Sequence, residues 1–229
     1  MSEWKLWQRV VEVPHFESSY SLPHIEGRGV EMATLDHDAR RRRIAEVVMD
    51  VIAREGLEAA TVRHIAATVG YSTTVITHYF ADKHDLLLSA YHLMDGIAAK
   101  RFNEIYGRDP TDLVGYLMSM SALDATDLGY WRTFIAIWDR SLRDAAFTAE
   151  LRSWIDEALL RIQAFIKALN PQCADPARVA RRLFAMMYGI SVQLVFDQAS
   201  WSKDAVRLAL ASEIEQLVGR RTGITSSAG

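Results

Sequence analysis

Side chains that suit contacts with nucleic-acid bases and phosphates are concentrated between Thr61 and Lys83, in the stretch TVRHIAATVGYSTTVITHYFADK. Threonine hydroxyls can hydrogen-bond to base edges, and the threonine methyl group can pack against the methyl group of thymine. Lysine and arginine neutralise phosphates, while tyrosine and histidine can donate hydrogen bonds to them. The chemistry that this set of side chains favours is recognition of DNA.

Helix signals in the same stretch explain how these side chains would be presented. Thr61 is a good N-cap for a helix with one apolar face. Gly70 can adopt the left-handed conformation that ends this helix, and Ser72 can cap a second, short helix from Thr73 to Tyr79. Two helices joined by a glycine turn predict a helix-turn-helix DNA reader. Three residues of the second helix are expected to point inward: Val75, Ile76 and Tyr79.

This stretch resembles the TetR family of one-component transcriptional regulators, over roughly residues 40–93. The Tyr79-Phe80 pair, followed by Lys83 and then Leu86, is its most specific part. The resemblance implies a repressor that binds double-stranded DNA at a palindromic operator as a homodimer and is released by a small-molecule effector. The matching residues are Thr61, Val62, Ile65, Ala66, Gly70, Ser72, Tyr79, Phe80, Lys83 and Leu86.

The composition is that of a globular protein. The chain has 229 residues, of which 50% are hydrophobic and 24% charged, enough for one large or two small domains. We find no apolar run long enough to cross a bilayer and no N-terminal signal, so we expect no membrane partner and a cytoplasmic location. The single cysteine, Cys173, fits a reducing compartment. The net charge of −3 requires a local source of positive potential, such as Arg40 to Arg43.

The pattern predicts an all-α protein, with an N-terminal three-helix helix-turn-helix domain followed by a larger helical bundle. The first 36 residues are either a native extension or an engineered leader, because Ile25-Glu26-Gly27-Arg28 matches a protease-cleavage sequence and Met32 is a plausible natural start. The predicted units are the extension 1–36, the DNA-binding domain 37–82, the ligand-binding and dimerisation domain 83–220 and a tail 221–229.

Apolar stripes at helical spacing predict the positions of the helices outside the helix-turn-helix. No alternating strand pattern of useful length is present. A long helix that starts after Asp82 would connect the DNA-binding domain to the bundle. The predicted helices are 38–54, 83–106, 111–122, 127–143, 147–169, 176–197 and 203–219.

The candidate DNA-binding residues combine a recognition face with flanking phosphate contacts. That recognition face carries no Arg or Asn, which favours readout through threonine, DNA shape and backbone contacts. The resemblance implies that Lys83 contacts the DNA backbone. An exposed helix end remains the alternative for the arginine run. The full candidate set is Arg42, Arg43, Thr61, Arg63, Tyr71, Ser72, Thr73, Thr74, Thr77, His78, Tyr79 and Lys83.

The C-terminal part loosely resembles the TetR branch typified by the betaine-pathway repressor, through Trp138, Leu142-Arg143-Asp144 and Gly189. That branch has tryptophan and arginine shortly after the glycine, and this chain does not. Aromatic side chains can bind a quaternary ammonium by cation–π attraction, although aromatic stripes are usually core. The effector stays unidentified. The candidate ligand-binding residues are Phe102, Trp131, Phe134, Trp138 and Met187.

The last two predicted helices are the expected dimer interface, because two copies related by a dyad can read a palindrome. The alternative, that these residues face their own core, stays open. The candidate interface residues are Gly189, Val192, Val195, Leu210 and Leu217.

Two other functions are weighed against the ligand-responsive regulator. One is a DNA-binding regulator with no small-molecule ligand, and the other is an all-α enzyme. The sequence shows no phosphate-binding glycine loop and no paired nucleophile and base, so we predict no catalytic residue. We also predict no metal site and no cofactor.

Overall fold

The structure is a computed structural model that describes the backbone of residues 28–219 and the side chains from His37 onward. The predicted tail and most of the predicted N-terminal extension lie outside these residues. The described part of the chain holds nine α-helices, one short 3-10 helix and no strand. In chain order the helices are α1 Arg28–Glu55, α2 Val62–Val69, α3 Thr73–Tyr79, α4 Lys83–Arg108, α5 Leu113–Ser119, α6 Ala125–Ser141, α7 Ala145–Leu169, α8 Pro176–Phe196 and α9 Lys203–Val218.

The first described helix already includes Arg28, well before the predicted start near residue 38. The cleavage-like sequence Ile25-Glu26-Gly27-Arg28 had suggested a leader here, and Gly29 directly follows it. A helix tolerates one glycine at a penalty of about 1 kcal/mol, which a long helix can absorb. The expected domain boundary at residue 37 therefore falls inside α1.

The helix-turn-helix forms as predicted because its caps are local. The hydroxyl of Thr61 accepts a hydrogen bond from the backbone amide of His64 at 3.2 Å, which starts α2. Gly70 has φ 80°, the left-handed conformation that ends this helix. The hydroxyl of Ser72 accepts from the amide of Val75 at 3.3 Å and starts α3.

Two helices connect the DNA-binding end to the bundle. The carboxylate of Asp82 accepts from the amide of Asp85 at 2.8 Å and begins α4, as predicted. The other connection is α1, which packs against both α4 and α6. Where α1 meets α6, the hydroxyl of Thr133 donates to the carbonyl of Met49 at 3.0 Å. The sequence had indicated only α4 as a connecting element.

The bundle helices start where polar caps place them. Each of these capping side chains accepts a hydrogen bond from a backbone amide in the first turn of its helix. That amide has no acceptor within the helix itself. The predicted helix limits are correct to within a few residues for this reason. The caps of α5 to α9 are Asp112, Asp124, Asp144, Asp175 and Ser202.

Helix α8 is the most apolar element of the bundle. By length and composition alone it could cross a membrane, since its apolar window has a mean hydropathy of 1.3, and 44% of that window is buried. The expectation that no apolar run has this length is therefore wrong. Packing of α8 against α7 on one side and α9 on the other accounts for much of this apolarity.

Candidate functional site

The outward face of α3 is polar, as predicted. The hydroxyl of Thr77 donates to the carbonyl of Thr74 at 3.1 Å, a local bond that rotation of the side chain can exchange for a DNA contact. Tyr71, in the turn before α3, is 37% exposed. The predicted residues that the structure places on this exposed surface are Tyr71, Ser72, Thr73, Thr74, Thr77 and His78.

Val75 joins this outward face, which corrects the expectation that it points inward. Ile76 is fully buried and Val75 is 36% exposed. The two residues lie about 100° apart around the helix axis, and the packing of α3 buries Ile76 while leaving Val75 at the exposed edge. The exposed methyl groups of Val75 suit apolar contact with a thymine methyl group.

Tyr79 belongs to the core of the DNA-binding domain. It is only 9% exposed. Its ring centroid lies 4.6 Å from that of His37 and 5.4 Å from that of His78. This packing argues against the predicted phosphate contact of Tyr79.

Arg41 fixes the position of α3, a role that sequence reasoning missed. Its guanidinium donates to the carbonyl of Tyr79 and, at 2.6 Å, to a carboxylate oxygen of Asp85. The same group lies 4.4 Å from the centroid of the Phe80 ring. Asp85 also accepts from the amide of Ala81 at 3.0 Å. Arg41 therefore connects α1, the end of α3 and the start of α4.

The two arginines that follow are on the surface. The side chains of Arg42 and Arg43 are 67% and 68% exposed, and both pair with Glu46 one turn away, at 3.5 and 3.6 Å. Exposed ion pairs of this kind contribute about 0–1 kcal/mol, so phosphates can compete for these arginines. Their placement agrees with the predicted role.

The remaining predicted cations lie near the two helix starts. The ammonium of Lys83 is 3.4 Å from a carboxylate oxygen of Glu58, and both side chains are solvent-accessible. Arg63 is exposed in the first turn of α2. The hydroxyl of Thr61 accepts the capping amide, and its own O–H stays available as a donor to a phosphate. This surface therefore combines cations, hydroxyl donors and a helix N-terminus.

The bundle interior contains an aromatic cluster that includes three of the five predicted ligand residues. The ring centroids of Trp131 and Tyr188 are 4.8 Å apart, and those of Phe134 and Trp138 are 5.6 Å apart. Trp138 is 38% exposed, whereas Trp131 and Phe134 are buried. The aromatic cluster consists of Trp131, Phe134, Trp138, Trp154, Phe184 and Tyr188.

The other two predicted ligand residues lie outside this cluster. Phe102 packs in a second ring group, with centroid distances of 5.1 Å to Tyr106, 5.9 Å to Tyr116 and 5.7 Å to Phe165. Met187 is buried, and its sulfur contacts the hydroxyl of Ser191 at 3.9 Å. The prediction that Phe102 lies in one site with Trp131 and Trp138 is therefore wrong.

Four buried polar atoms of the bundle have no hydrogen-bond partner within the described residues: Tyr130 Oη, Trp154 Nε1, Arg161 Nη1 and Tyr188 Oη. Burial and the nearby phenol of Tyr116 raise the pKa of Tyr130, and burial and the phenol of Tyr130 raise the pKa of Tyr188. Both side chains are neutral phenols at physiological pH. Buried polar atoms are normally paired, so these four mark an unusual part of the core.

The outer surface of α8 and α9 only partly matches the predicted dimer interface. Gly189 is exposed, and Val192, Val195 and Leu217 are half-buried. Leu210 is fully buried in its own chain, so its assignment to the interface is corrected. Two large apolar residues of these helices are exposed, Phe196 at 79% and Leu208 at 70%.

A cavity of about 270 Å³ lies at the junction of the two parts, away from the aromatic cluster. It is lined by Lys83, Arg140 and Phe147, among others. The charged groups here are already paired with carboxylates of the same chain. Among the described residues, no group of three or more His, Cys, Asp and Glu is arranged to hold a metal ion.

A helix-turn-helix joined to a helical bundle defines a DNA-binding regulator with a second functional domain. Residues 44–90 match the profile of bacterial regulatory proteins of the tetR family, and residues 111–219 match the C-terminal domain of BetI-type transcriptional repressors. The chain belongs to the TetR family of transcriptional regulators. It is therefore a transcriptional regulator and not an enzyme.

Individual relatives agree with this assignment. The HTH-type transcriptional regulator PksA of Bacillus subtilis is 27% identical, covering 80% of this chain and 92% of PksA. BetI of Vibrio vulnificus is 26% identical, covering 77% and 91%. A regulator of Saccharomonospora viridis, solved in complex with choline, has a TM-score of 0.64 and 24% identity, covering 78% of this chain and 96% of that one. This last similarity shows the fold alone.

Proposed function

We propose that this protein is a repressor that binds a palindromic operator as a homodimer and is released by a small molecule. The observation that carries the proposal is the outward face of α3, where the threonines, His78 and Val75 are exposed to solvent. Arg42, Arg43 and Lys83 flank that face with positive charge. Such a protein works in the cytoplasm, where the DNA is.

A homodimer is proposed because one helix-turn-helix buries too little surface for tight specific binding. Two recognition helices must lie about 34–36 Å apart to enter successive major grooves. The outer surface of α8 and α9 suits a symmetric contact, since Gly189 allows close approach and Phe196 and Leu208 are large exposed apolar groups. Val192 lies on the same side of α8 as Gly189 and Phe196, whereas Leu217 lies about 180° around α9 from Leu208.

A small-molecule effector is proposed because the aromatic cluster and its unpaired polar atoms resemble a binding site more than an ordinary core. The choline held by the Saccharomonospora viridis neighbour supports an effector for this fold. Helix α4 begins at the DNA surface and ends against the bundle, so it can change the spacing of the recognition helices. The effector acts only through its different affinity for the two states.

Selection of bound sequences from a random DNA pool tests the DNA-binding function directly. The full chain should enrich an inverted repeat whose half-sites are about one helical turn apart. A double variant, Thr74→Ala with Thr77→Ala, should enrich a different or degenerate half-site. Failure of the full chain to enrich any repeat would contradict the proposal.

A further inference from the structure

The unpaired polar atoms of the bundle belong to one region of the core. The ring centroids of Trp154 and Tyr188 are 6.1 Å apart, and both rings belong to the aromatic cluster. Arg161 lies two turns after Trp154 on α7, on the same side of that helix. The ring centroids of Tyr130 and Trp131 are 6.5 Å apart, so Tyr130 adjoins the aromatic cluster.

The hydrogen-bond chemistry of these atoms is one-sided. Trp154 Nε1 and Arg161 Nη1 can only donate, and the neutral phenols of Tyr130 and Tyr188 each carry an O–H donor. An unmade hydrogen bond of a buried donor is unfavourable, so a molecule that fills this region gains most by offering acceptor oxygens. A quaternary ammonium group offers no acceptor and leaves the donors unpaired.

The charge of the region argues for a neutral molecule. Arg161 Nη2 is 3.1 Å from a carboxylate oxygen of Asp95 and 2.9 Å from one of Glu157. Two carboxylates therefore already neutralise the guanidinium. A ligand carboxylate would be repelled by Asp95 and Glu157, whereas a carbonyl or hydroxyl oxygen can accept from Nη1 without this repulsion.

We propose that the aromatic cluster binds a neutral aromatic molecule that carries carbonyl or hydroxyl oxygens. Its rings pack against Trp131, Phe134 and Trp154, and its oxygens accept from the unpaired donors. The partly exposed Trp138 marks the side on which the molecule enters. This inference rests on the proposed effector-binding role of the bundle and specifies the chemical class of the effector.

The test compares probes of matched shape in the absence of DNA. Calorimetry and thermal unfolding are measured with 2-acetylnaphthalene, with 2-ethylnaphthalene, which has nearly the same size but no oxygen, and with choline and benzoate. The acetyl compound should bind at least threefold more tightly than each of the other three, as expected for one or more hydrogen bonds to buried donors.

Two variants locate the binding. Tyr188→Phe and Tyr130→Phe each remove only a hydroxyl and should weaken binding of 2-acetylnaphthalene roughly three- to tenfold while leaving 2-ethylnaphthalene unchanged. Tyr106→Phe, in the second ring group, is the matched control. It should leave the affinities for 2-acetylnaphthalene and for 2-ethylnaphthalene unchanged. Thermal unfolding without probe shows that each variant is folded.

Three outcomes would overturn the inference: no binding of 2-acetylnaphthalene, equal binding of the two naphthalenes, or tighter binding of choline that neither tyrosine variant changes. Each of these leaves DNA selection by the full chain untouched. A wrong ligand class is thus distinguishable from a wrong assignment as a DNA-binding repressor.

Discussion

The polar groups of the DNA-binding end lie on its surface, whereas the polar groups that distinguish the bundle lie inside it. On α3, the side chains of Thr74, Thr77 and His78 are exposed to solvent in the absence of DNA. In the bundle, the hydroxyls of Tyr130 and Tyr188 have no hydrogen-bond partner among residues 28–219. The two sets therefore respond differently to substitution. Surface groups affect binding with little change in stability, and unpaired buried groups can be removed at little cost to the fold.

The boundary between the two regions is mechanically important. Arg41 joins three helices at the DNA-binding end, while α1 and α4 continue from there to the bundle. We propose that a displacement at the bundle end of these helices changes the orientation of α3. Variants that change one region and leave the other intact can test this difference between the two regions.

The largest expected effect concerns the outer surface of the bundle. Leu208→Glu should convert a dimer of about twice 25.9 kDa into a monomer, because dyad symmetry places the substituted residue in the interface twice. Light scattering measures the mass. Leu142→Glu, at a position 82% exposed between α6 and α7, is the matched control and should remain dimeric. A monomeric wild-type chain, or a dimeric Leu208→Glu, would contradict the assigned interface.

The next effect concerns the stability of the DNA-binding end. Arg41→Ala should lower the free energy of unfolding by about 1–2 kcal/mol, because hydrogen bonds to charged groups are strong but this guanidinium is partly exposed to solvent. Operator affinity should fall with it, since α3 loses its support. Urea unfolding of Arg41→Ala beside Arg42→Ala measures this, and the second variant should stay within about 0.5 kcal/mol of the wild type. Equal stability of the two variants would remove the structural role of Arg41.

Local sequence signals predicted the positions of the helices well. They predicted less well which side chains of a helix are buried and which are exposed. The caps Thr61, Ser72 and Asp82 act within one turn, so the sequence contains the whole interaction. Leu208 and Leu210 are both apolar and lie about 200° apart around α9, and only the packing of α9 against its neighbours decides which one is buried.

Contacts between distant segments were missed for a related reason. Trp154 lies on α7 and Tyr188 on α8, and each is unremarkable within its own helix. Their proximity comes from the way these two helices pack. Arg41 differs from its neighbours only in facing Asp85, far away in sequence. Such residues become visible once the tertiary structure is known.

A smaller effect is expected for a single phosphate contact. Lys83→Ala should weaken binding to all DNA sequences by a similar factor and reduce the slope of log affinity against log salt by about 1.8, which is about 0.9 for each protomer of the dimer. Lys100→Ala, an exposed lysine on the same helix, should change neither quantity. Fluorescence anisotropy over a range of salt concentrations measures both. An unchanged slope for Lys83→Ala would mean that this lysine does not contact phosphate.

The smallest expected effect is also the most direct test of the unpaired hydroxyls. Tyr188→Phe, without any ligand, should change the free energy of unfolding by less than about 0.5 kcal/mol or increase it, because the deleted hydroxyl has no partner in the folded state. Tyr91→Phe is the matched control: this tyrosine is also buried, and its hydroxyl donates to the carbonyl of Glu150 at 2.8 Å. Losing that bond should lower the free energy of unfolding by about 0.5–1.5 kcal/mol.

The informative quantity is the difference in the free energy of unfolding between the two tyrosine variants, because each variant removes the same hydroxyl oxygen from a buried phenol. Chemical unfolding of both variants under one condition measures it. If Tyr188→Phe is as destabilising as Tyr91→Phe, its hydroxyl is already paired, for example by a buried water, in the free protein. The bundle would then be an ordinary satisfied core, and the contrast with the solvated polar surface of α3 would lose its basis. A negligible effect for Tyr188 beside a clear one for Tyr91 would instead mean that a donor stands unpaired in the bundle until a ligand arrives.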